Sequence, residues 1–152
     1  MSLATFAAGC FWGVEAKFRQ LSGVTSTRVG YTAGHTPTPD YKAVCTGLTG
    51  HAEAIEITFD ADLISYDSLL DFFWQIHDPT TLNQQGPDKG TQYRSAIFYH
   101  DQQQKALAIE KKQFLNETRF QQKAIVTDIA PAEIFHVAEE YHQCYIEKQG
   151  QH

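Results

Sequence analysis

Cys10 has the residue type and the setting for nucleophilic chemistry. It lies in the run Gly9-Cys10-Phe11-Trp12-Gly13, between an apolar stretch and a stretch with helical spacing, which predicts a strand-to-helix turn. The free amide groups at a helix N-terminus favour the thiolate, which is the nucleophilic form of cysteine. Glycines on both sides allow a sharp turn and close approach to the sulfur. We therefore predict a reactive thiol, against the alternative of a buried structural cysteine.

Glu53 could supply a proton to the same reaction. Residues 51–60 alternate in polarity, and Glu53 shares one strand face with Ile55, Ile57 and Phe59. A carboxyl group on an apolar face loses hydration, which raises its pKa toward neutrality. We therefore predict a general acid. The alternative is that Glu53, at the N-terminal end of its strand, simply reaches water.

Strands and helices must hold these residues in place. A chain of 152 residues with 42% hydrophobic content is long enough and apolar enough to form one domain, over residues 1–152. Strands are predicted at Leu3–Ala8, Val24–Thr32, His51–Asp60, Tyr93–Tyr99 and Ala124–Ile129. Helices are predicted from Phe11 to about Leu21, from Ser65 to Asp78, over Asp101–Thr118 and near Val137–Lys148, with a short helical turn at Tyr41–Cys45. The polar segment Asp78–Gln92 is predicted to be a long binding loop.

The order of these elements is β-α-β-β-α-β, followed by a further helix and strand. This order predicts an α+β, two-layer sandwich with a ferredoxin-like (split β-α-β) core and long loops.

Composition excludes several classes of partner and ligand. The net charge is −6 and no block of lysine or arginine occurs, so we expect no nucleic acid partner. No stretch has the length of a membrane span, so we expect a cytoplasmic protein without a membrane partner. Three cysteines are too sparse for a secreted disulfide framework. We expect no metal, because no Cys-x-x-Cys occurs and His136 and His142 are six residues apart.

Four segments, in order and spacing, closely resemble those of the peptide methionine sulfoxide reductase A family. They are Gly9-Cys10-Phe11-Trp12-Gly13, Gly50-His51-Ala52-Glu53-Ala54, Asp88-Lys89-Gly90-Thr91-Gln92-Tyr93-Arg94-Ser95 and Ala138-Glu139-Glu140-Tyr141-His142-Gln143. Four matches across nearly the whole chain are highly specific. The resemblance implies reduction of the S epimer of methionine sulfoxide, free or in peptides and oxidised proteins, to methionine. It also implies thioredoxin or another thiol as external reductant, with no bound cofactor.

Reduction of a sulfoxide requires a soft nucleophile for the sulfur and a proton for the oxygen. Cys10 is the predicted nucleophile, whose attack yields methionine and a sulfenic acid at Cys10. The resemblance assigns Glu53 as the acid catalyst. It also raises Tyr41 and Tyr93 above ordinary packing residues, as donors of hydrogen bonds to the sulfoxide oxygen.

The methyl group of the sulfoxide can be recognised only by apolar contact, and Phe11 and Trp12 are the predicted wall for it. Phe11 also lies on the helical stripe, so core packing is an equally ordinary explanation, whereas Trp12 lies off that stripe. By resemblance, Asp88 holds substrate and water by hydrogen bonds. An aspartate after proline is otherwise simple turn chemistry.

Recycling of the sulfenic acid is where this sequence departs from the family pattern. Many members carry resolving cysteines in a glycine-rich tail after the last helix, whereas no cysteine follows Cys144 here. Cys144 is the predicted resolving cysteine. Cys45 and direct attack by an external thiol are the alternatives, because a disulfide needs Cα atoms within about 7 Å and sequence gives no such distance.

Two other functions remain open from the residues alone. A thiol acyl-transferase or a peptidase would need a histidine base beside Cys10, for which His51 and His142 are the candidates. A ferredoxin-like binding domain without catalytic activity would need no reactive thiol.

Overall fold

The computed structural model describes residues 1–149. The strands are β1 (Ser2–Ala8), β2 (Val24–Thr32), β3 (Ala52–Phe59), β4 (Gln84–Gln85), β5 (Asp88–Lys89), β6 (Ser95–Tyr99), β7 (Asp128–Pro131) and β8 (His136–Val137). The helices are α1 (Phe11–Phe18), α2 (Tyr41–Val44), α3 (Tyr66–Gln75), α4 (Gln102–Thr118) and α5 (Tyr145–Gln149), with 3-10 turns at Thr91–Tyr93 and Glu140–His142. No helix within this part of the chain is long and apolar enough to span a membrane.

Six of the strands form one sheet in the order β7-β6-β1-β3-β2-β8. Strand β1 is antiparallel to both β3 and β6, and β2 is antiparallel to β3. With α1 and α3, these four strands form the split β-α-β arrangement, which confirms the predicted ferredoxin-like α+β fold. Helix α4 then connects β6 to β7, which pairs with β6 in parallel.

The main core lies between the sheet and one layer of helices. Side chains at alternate positions of β1 and β3 point into it, together with the apolar stripes of α1, α3 and α4. Phe6 of β1 lies near the centre, with ring centroids 5.0–6.0 Å from those of Phe18, Tyr66 and Phe73. Ile55, Ile57 and Phe59 are buried on this face as their parity predicts, so Glu53 points toward the helix layer as well.

The strand register brings the predicted site residues to one end of the sheet. Phe6 pairs with Ile55 and Ala8 pairs with Ser95, so β1 ends where β3 and β6 begin. Residues just after β1, at the start of β3 and just before β6 therefore lie close together. These positions belong to Cys10, Glu53 and Tyr93 respectively.

The predicted helix over Val137–Lys148 is wrong over most of its length. Val137 pairs with Gly30 as an edge strand, and Cys144 has a φ of +51°, a left-handed conformation that an α-helix cannot contain. The apolar spacing from Val137 to Tyr145 is therefore not a helix face. A short 3-10 turn forms at Glu140–His142, and α-helical structure begins only at Tyr145.

Other predicted boundaries and one predicted loop also differ from the structure. The strand predicted at Ala124–Ile129 is observed at Asp128–Pro131, because the Val126 N–H bonds to the carbonyl oxygen of Pro79 (2.7 Å) instead of to β6. Tyr93 closes a 3-10 turn, so the next strand begins at Ser95. The segment predicted as an unstructured loop contains the small hairpin β4-β5, and α1 ends at Phe18, short of Leu21.

Candidate active site

Cys10 is the N-cap residue of α1, directly after β1, so the predicted strand-to-helix turn is present. Its thiol is half-buried. The backbone N–H groups of Trp12 and Gly13 lie close enough to lower its pKa, although the Cys10 side chain forms no capping hydrogen bond. The free amides at the start of the helix therefore face the sulfur, as the sequence predicted.

The electrostatic surroundings nevertheless favour a thiol at rest. Burial raises the pKa of Cys10 above its ordinary value, the N–H groups of Trp12 and Gly13 lower it, and the carboxyl groups of Glu53 and Asp88 raise it further, with a net increase. The amides at the helix N-terminus favour the thiolate, as expected, but burial and the two carboxyl groups outweigh them. Cys10 needs a nearby proton acceptor to become nucleophilic at neutral pH.

Glu53 is fully enclosed beside the start of α1. Its side chain is 1% exposed, and Oε1 accepts a hydrogen bond from the Phe11 N–H (3.3 Å). Oε2 is buried and has no hydrogen-bond partner in residues 1–149. Burial raises the pKa of Glu53 to about 7; the Phe11 N–H opposes this shift and the Asp88 carboxylate adds to it. Glu53 thus does not reach water, and it can hold or release a proton near neutral pH.

Tyr41 and Tyr93 bring two phenol groups to the same end of the sheet. Tyr41 is the first residue of α2. Burial, with the nearby Glu53 carboxyl, raises the pKa of Tyr93 to about 12, and burial also raises the pKa of Tyr41. Both hydroxyl groups therefore stay protonated and able to donate at neutral pH. They also approach the thiol of Cys45, the alternative resolving cysteine of the sequence analysis.

The hairpin β4-β5 packs on Gly9, the residue before Cys10, and carries Asp88. The Gln85 side chain is tied to the Asp78 backbone through its carbonyl oxygen (2.9 Å) and its amide group (2.8 Å). It packs so closely on Gly9 that a Cβ there would lie 2.8 Å from Gln85 Cγ. The Asp88 carboxylate lies near enough to raise the pKa values of both Cys10 and Glu53.

The two glycines that flank Cys10 should respond in opposite ways to replacement by alanine. Gly9 has a φ of +94° and lies against Gln85, so we expect Gly9→Ala to lower the free energy of unfolding by about 1–2 kcal/mol and to displace the hairpin. Gly13 is helical with no atom within 4 Å of an added Cβ, and Gly13→Ala should raise it by up to about 1 kcal/mol. Urea denaturation measures both. Equal effects of the two substitutions would contradict this interpretation.

Phe11 and Trp12 differ in exposure. Phe11 is 1% exposed and packs in a small cluster with Tyr31 and Val44, so core packing accounts for most of its surface. Trp12 is half-buried, and its indole stacks on Tyr145 with centroids 3.9 Å apart. Trp12 is therefore the ring of this pair that can present surface to a bound methyl group.

The structure does not bring Cys144 into this group. Its backbone N–H donates to Oε1 of Glu15 in the second turn of α1 (2.7 Å), whereas Cys10 precedes the first turn. Arg19, Glu147 and Lys148 are its other charged neighbours.

Neither candidate histidine base is available to Cys10. His51 uses Nδ1 for the Gly34 N–H (3.0 Å) and Nε2 for the Thr36 carbonyl oxygen (2.8 Å). Nδ1 of His142 accepts the indole N–H of Trp12 (2.8 Å). The geometry therefore gives no support to an acyl-transferase or peptidase mechanism. Residues 1–149 contain no cluster of three His, Cys, Asp or Glu side chains that could hold a metal ion.

Sequence reasoning missed Glu139 and Gln143, which tie the C-terminal segment to the site. The Glu139 carboxylate accepts the Tyr31 hydroxyl (2.9 Å) and the Tyr41 N–H (3.1 Å). The Gln143 side chain bonds to both the N–H and the carbonyl oxygen of Val29 (2.9 Å each), as a neighbouring strand would. Helical spacing could not reveal these roles, because every partner is about a hundred residues away in sequence. The family motif at Ala138–Gln143 was the one available signal.

Comparisons with known proteins agree with this geometry. The family model described as Peptide methionine sulfoxide reductase matches residues 2–152. The peptide methionine sulfoxide reductase MsrA of Methanothermobacter thermautotrophicus is 61% identical over 145 residues, which cover 95% of this chain and 86% of that protein.

Solved structures show the same relationship. Mxr1 from Saccharomyces cerevisiae in reduced form superposes with a TM-score of 0.92 at 40% identity, over 99% of this chain and 87% of that chain. Mxr1 in complex with Trx2 superposes with a TM-score of 0.67 at 27% identity, over 95% of this chain and 84% of that chain. The chain therefore belongs to the peptide methionine sulfoxide reductase A family and reduces methionine sulfoxide to methionine.

Proposed function

We propose that Cys10 is the nucleophile and Glu53 the general acid in reduction of the S epimer of methionine sulfoxide, free or in peptides and oxidised proteins. The observation that carries this assignment is the enclosed Glu53 carboxyl group, with one unpartnered oxygen, next to the thiol of Cys10. The catalytic domain in this proposal is the whole chain, residues 1–152. A cytoplasmic location belongs to it too, because three free cysteines suit a reducing compartment.

The reaction begins with attack of the Cys10 sulfur on the sulfoxide sulfur. Glu53 gives its proton to the sulfoxide oxygen and takes up the thiol proton of Cys10, which a carboxyl group with a pKa of about 7 can do in both directions. The oxygen is transferred to the Cys10 sulfur. The methionine sulfur gains two electrons and the Cys10 sulfur loses two, so the products are methionine and a Cys10 sulfenic acid.

The other site residues bind and polarise the substrate. Tyr41 and Tyr93 donate hydrogen bonds to the sulfoxide oxygen as negative charge develops on it. Trp12, with Phe11 behind it, provides the apolar surface for the methyl group. Asp88 holds the substrate and water from the hairpin above Cys10. The arrangement around Cys10 fixes where the oxygen, the methyl group and the chain of a methionine sulfoxide can lie, which supports selection of one epimer at sulfur.

An external thiol completes the cycle in this proposal. Its sulfur attacks the sulfenic acid, forms a mixed disulfide with Cys10 and releases the oxygen as water. A second thiol of the reductant then attacks this disulfide, which returns Cys10 to the thiol and leaves the reductant as a disulfide. A thioredoxin is our proposed reductant, which the solved complex of the relative Mxr1 with Trx2 supports. Direct attack is favoured over the predicted internal resolution by Cys144, because the Cys144 N–H bonds to Glu15 in the second turn of α1. Cys45, beside Tyr41 and Tyr93, is the internal alternative.

Racemic methionine sulfoxide tests the reduction step. Incubation with the protein and a dithiol should yield methionine from the S epimer alone, measured by separation of the two epimers. Methionine from neither epimer would remove the proposed function, and methionine from the R epimer would remove the proposed selectivity.

Thiol titration tests the recycling step. If only an external thiol resolves the sulfenic acid, substrate added without reductant should remove one titratable thiol per chain, that of Cys10. A loss of two would mean an internal disulfide. In that case Cys144→Ser and Cys45→Ser would identify the partner, because only the substitution of the true resolving cysteine would restore the loss to one.

A further inference from the structure

His142 is completely buried among aromatic rings at the edge of the site. Its side chain has 0% exposure. Its ring centroid lies 4.1–5.6 Å from those of Phe11, Trp12, Tyr41 and Tyr141. Three of those four rings belong to residues assigned above to the substrate site. The 3-10 turn Glu140–His142 carries the imidazole, and the N–H of His142 donates to the Glu139 carbonyl oxygen (2.9 Å).

One hydrogen bond links His142 to the ring that presents the apolar wall. The indole N–H of Trp12 donates to Nδ1 of His142 at 2.8 Å. Since an indole nitrogen can only donate, Nδ1 must accept and the ring proton must lie on Nε2. Nε2 is itself buried and has no partner within residues 1–149. His142 therefore has one well-formed polar contact, and that contact is to Trp12.

This hydrogen bond determines the orientation of the Trp12 ring. Tyr145 supports one face of the indole by stacking, but stacking alone permits the ring to slide and turn in its plane. The bond to Nδ1 fixes the edge of the indole and thereby its rotation. A methyl group offers no hydrogen bond, so its recognition depends on the shape and orientation of the apolar wall.

We propose that His142 is a positioning residue for substrate binding, which orients Trp12 through its Nδ1 atom without touching the substrate. This inference rests on the proposed role of Trp12 as the methyl-binding wall. His142 has no free lone pair to act as a base, because Nδ1 accepts from Trp12 and Nε2 carries the ring proton.

Substitutions at His142 separate positioning from packing. His142→Phe keeps an aromatic ring of similar size and removes the acceptor, whereas the carbonyl oxygen of His142→Gln can still accept the indole N–H. With saturating dithiol, we expect His142→Phe to raise KM for methionine sulfoxide about tenfold with kcat changed less than about twofold, since a neutral hydrogen bond corresponds to about one order of magnitude. His142→Gln should return KM to within about threefold of wild type.

A double-mutant cycle with Trp12→Phe tests whether His142 affects KM through Trp12. Once the indole N–H is absent, His142→Phe should raise KM less than about twofold beyond Trp12→Phe alone. Equal increases in both backgrounds would overturn the inference, as would a fall in kcat at unchanged KM. A substitution His142→Leu provides the same comparison if His142→Phe does not fold.

Fluorescence gives a second readout that does not depend on activity. The other tryptophan, Trp74, is buried and bonded to Thr127, so the spectrum of wild type minus that of Trp12→Phe reports Trp12. His142→Phe should move this difference emission to longer wavelength and increase its quenching by acrylamide, and His142→Gln should reverse both changes. An unchanged difference spectrum would overturn the positioning role. A protein without sulfoxide reduction but with these spectral changes would instead overturn only the proposed function.

Discussion

Substitution of Cys10 by serine is expected to abolish sulfoxide reduction, with a loss of roughly 10⁴-fold or more in the rate of the first turnover. Serine has nearly the same shape as cysteine and suits an N-cap position, so the fold should be retained. A hydroxyl oxygen is a poor nucleophile toward the sulfoxide sulfur, and it cannot form the sulfenic acid that carries the transferred oxygen. The measurement is methionine formed per chain when substrate is mixed with protein in the absence of reductant.

The matched control is Cys144→Ser, which removes a thiol that lies beside Glu15 on the other side of α1's first turn. We expect this variant to form one methionine per chain at the wild-type rate. Full first-turnover activity of Cys10→Ser would mean that another thiol performs the chemistry, and Cys45, which lies beside Tyr41 and Tyr93, would then be the residue to replace.

The sequence was sufficient for the parts of the site that local rules determine. A strand, a glycine and the start of a helix follow one another directly in the sequence, so the position of Cys10 could be predicted from its neighbours alone. Strand parity placed Glu53 on the face of Ile55 and Ile57 but left open whether its carboxyl group reaches water, and the fold encloses it. The split β-α-β core followed from the order of elements.

Sequence rules failed where contacts distant in the chain determine the structure. The spacing of Val137, Tyr141 and Cys144 fits a helix, but pairing of Val137 with Gly30 and the bonds of Gln143 to Val29 hold the segment extended along β2. Tertiary contacts of this kind override local propensity. The position of Cys144 beside Glu15 could not be predicted for the same reason.

The protonation state of Cys10 depends on groups that the sequence does not bring together. Helix amides were expected to favour a thiolate, and the N–H groups of Trp12 and Gly13 do lower the pKa of Cys10. Burial and the two carboxyl groups nearby have the larger effect and raise the pKa of Cys10. Sequence shows the amides at a helix start, but it does not show which carboxylates the fold will bring beside them.

Glu53→Gln is expected to lower the first-turnover rate by roughly 10²- to 10⁴-fold, the usual contribution of a general acid. The substitution preserves size, and the new amide oxygen can still accept the Phe11 N–H, so the geometry around Cys10 should persist. Glu56→Gln is the matched control on the same strand. Glu56 points to the opposite face and pairs with Arg28 at the surface (2.7 Å), so its replacement should leave the rate unchanged.

The same substitution should make the protein more stable at alkaline pH. Burial raises the pKa of Glu53 from 4.5 to about 7, so the folded state binds a proton that the unfolded state has already released between these pH values. The contribution of this proton to the free energy of unfolding is fully present below pH 4.5, falls as pH rises, and is lost above about pH 7. The total decrease is about 3 kcal/mol. Glu53→Gln lacks this penalty.

Urea denaturation of wild type, Glu53→Gln and Glu56→Gln across pH 4.5–8.5 measures the difference. The free energy of unfolding of Glu53→Gln should exceed that of wild type by an amount that grows with pH and levels off above about pH 7, whereas Glu56→Gln should show no such growth. A difference independent of pH would mean that burial does not keep the carboxyl protonated. Suppose that Glu53→Gln is inactive and that its free energy of unfolding exceeds that of wild type by more as pH rises. The burial of Glu53 then both costs stability and provides the proton for catalysis.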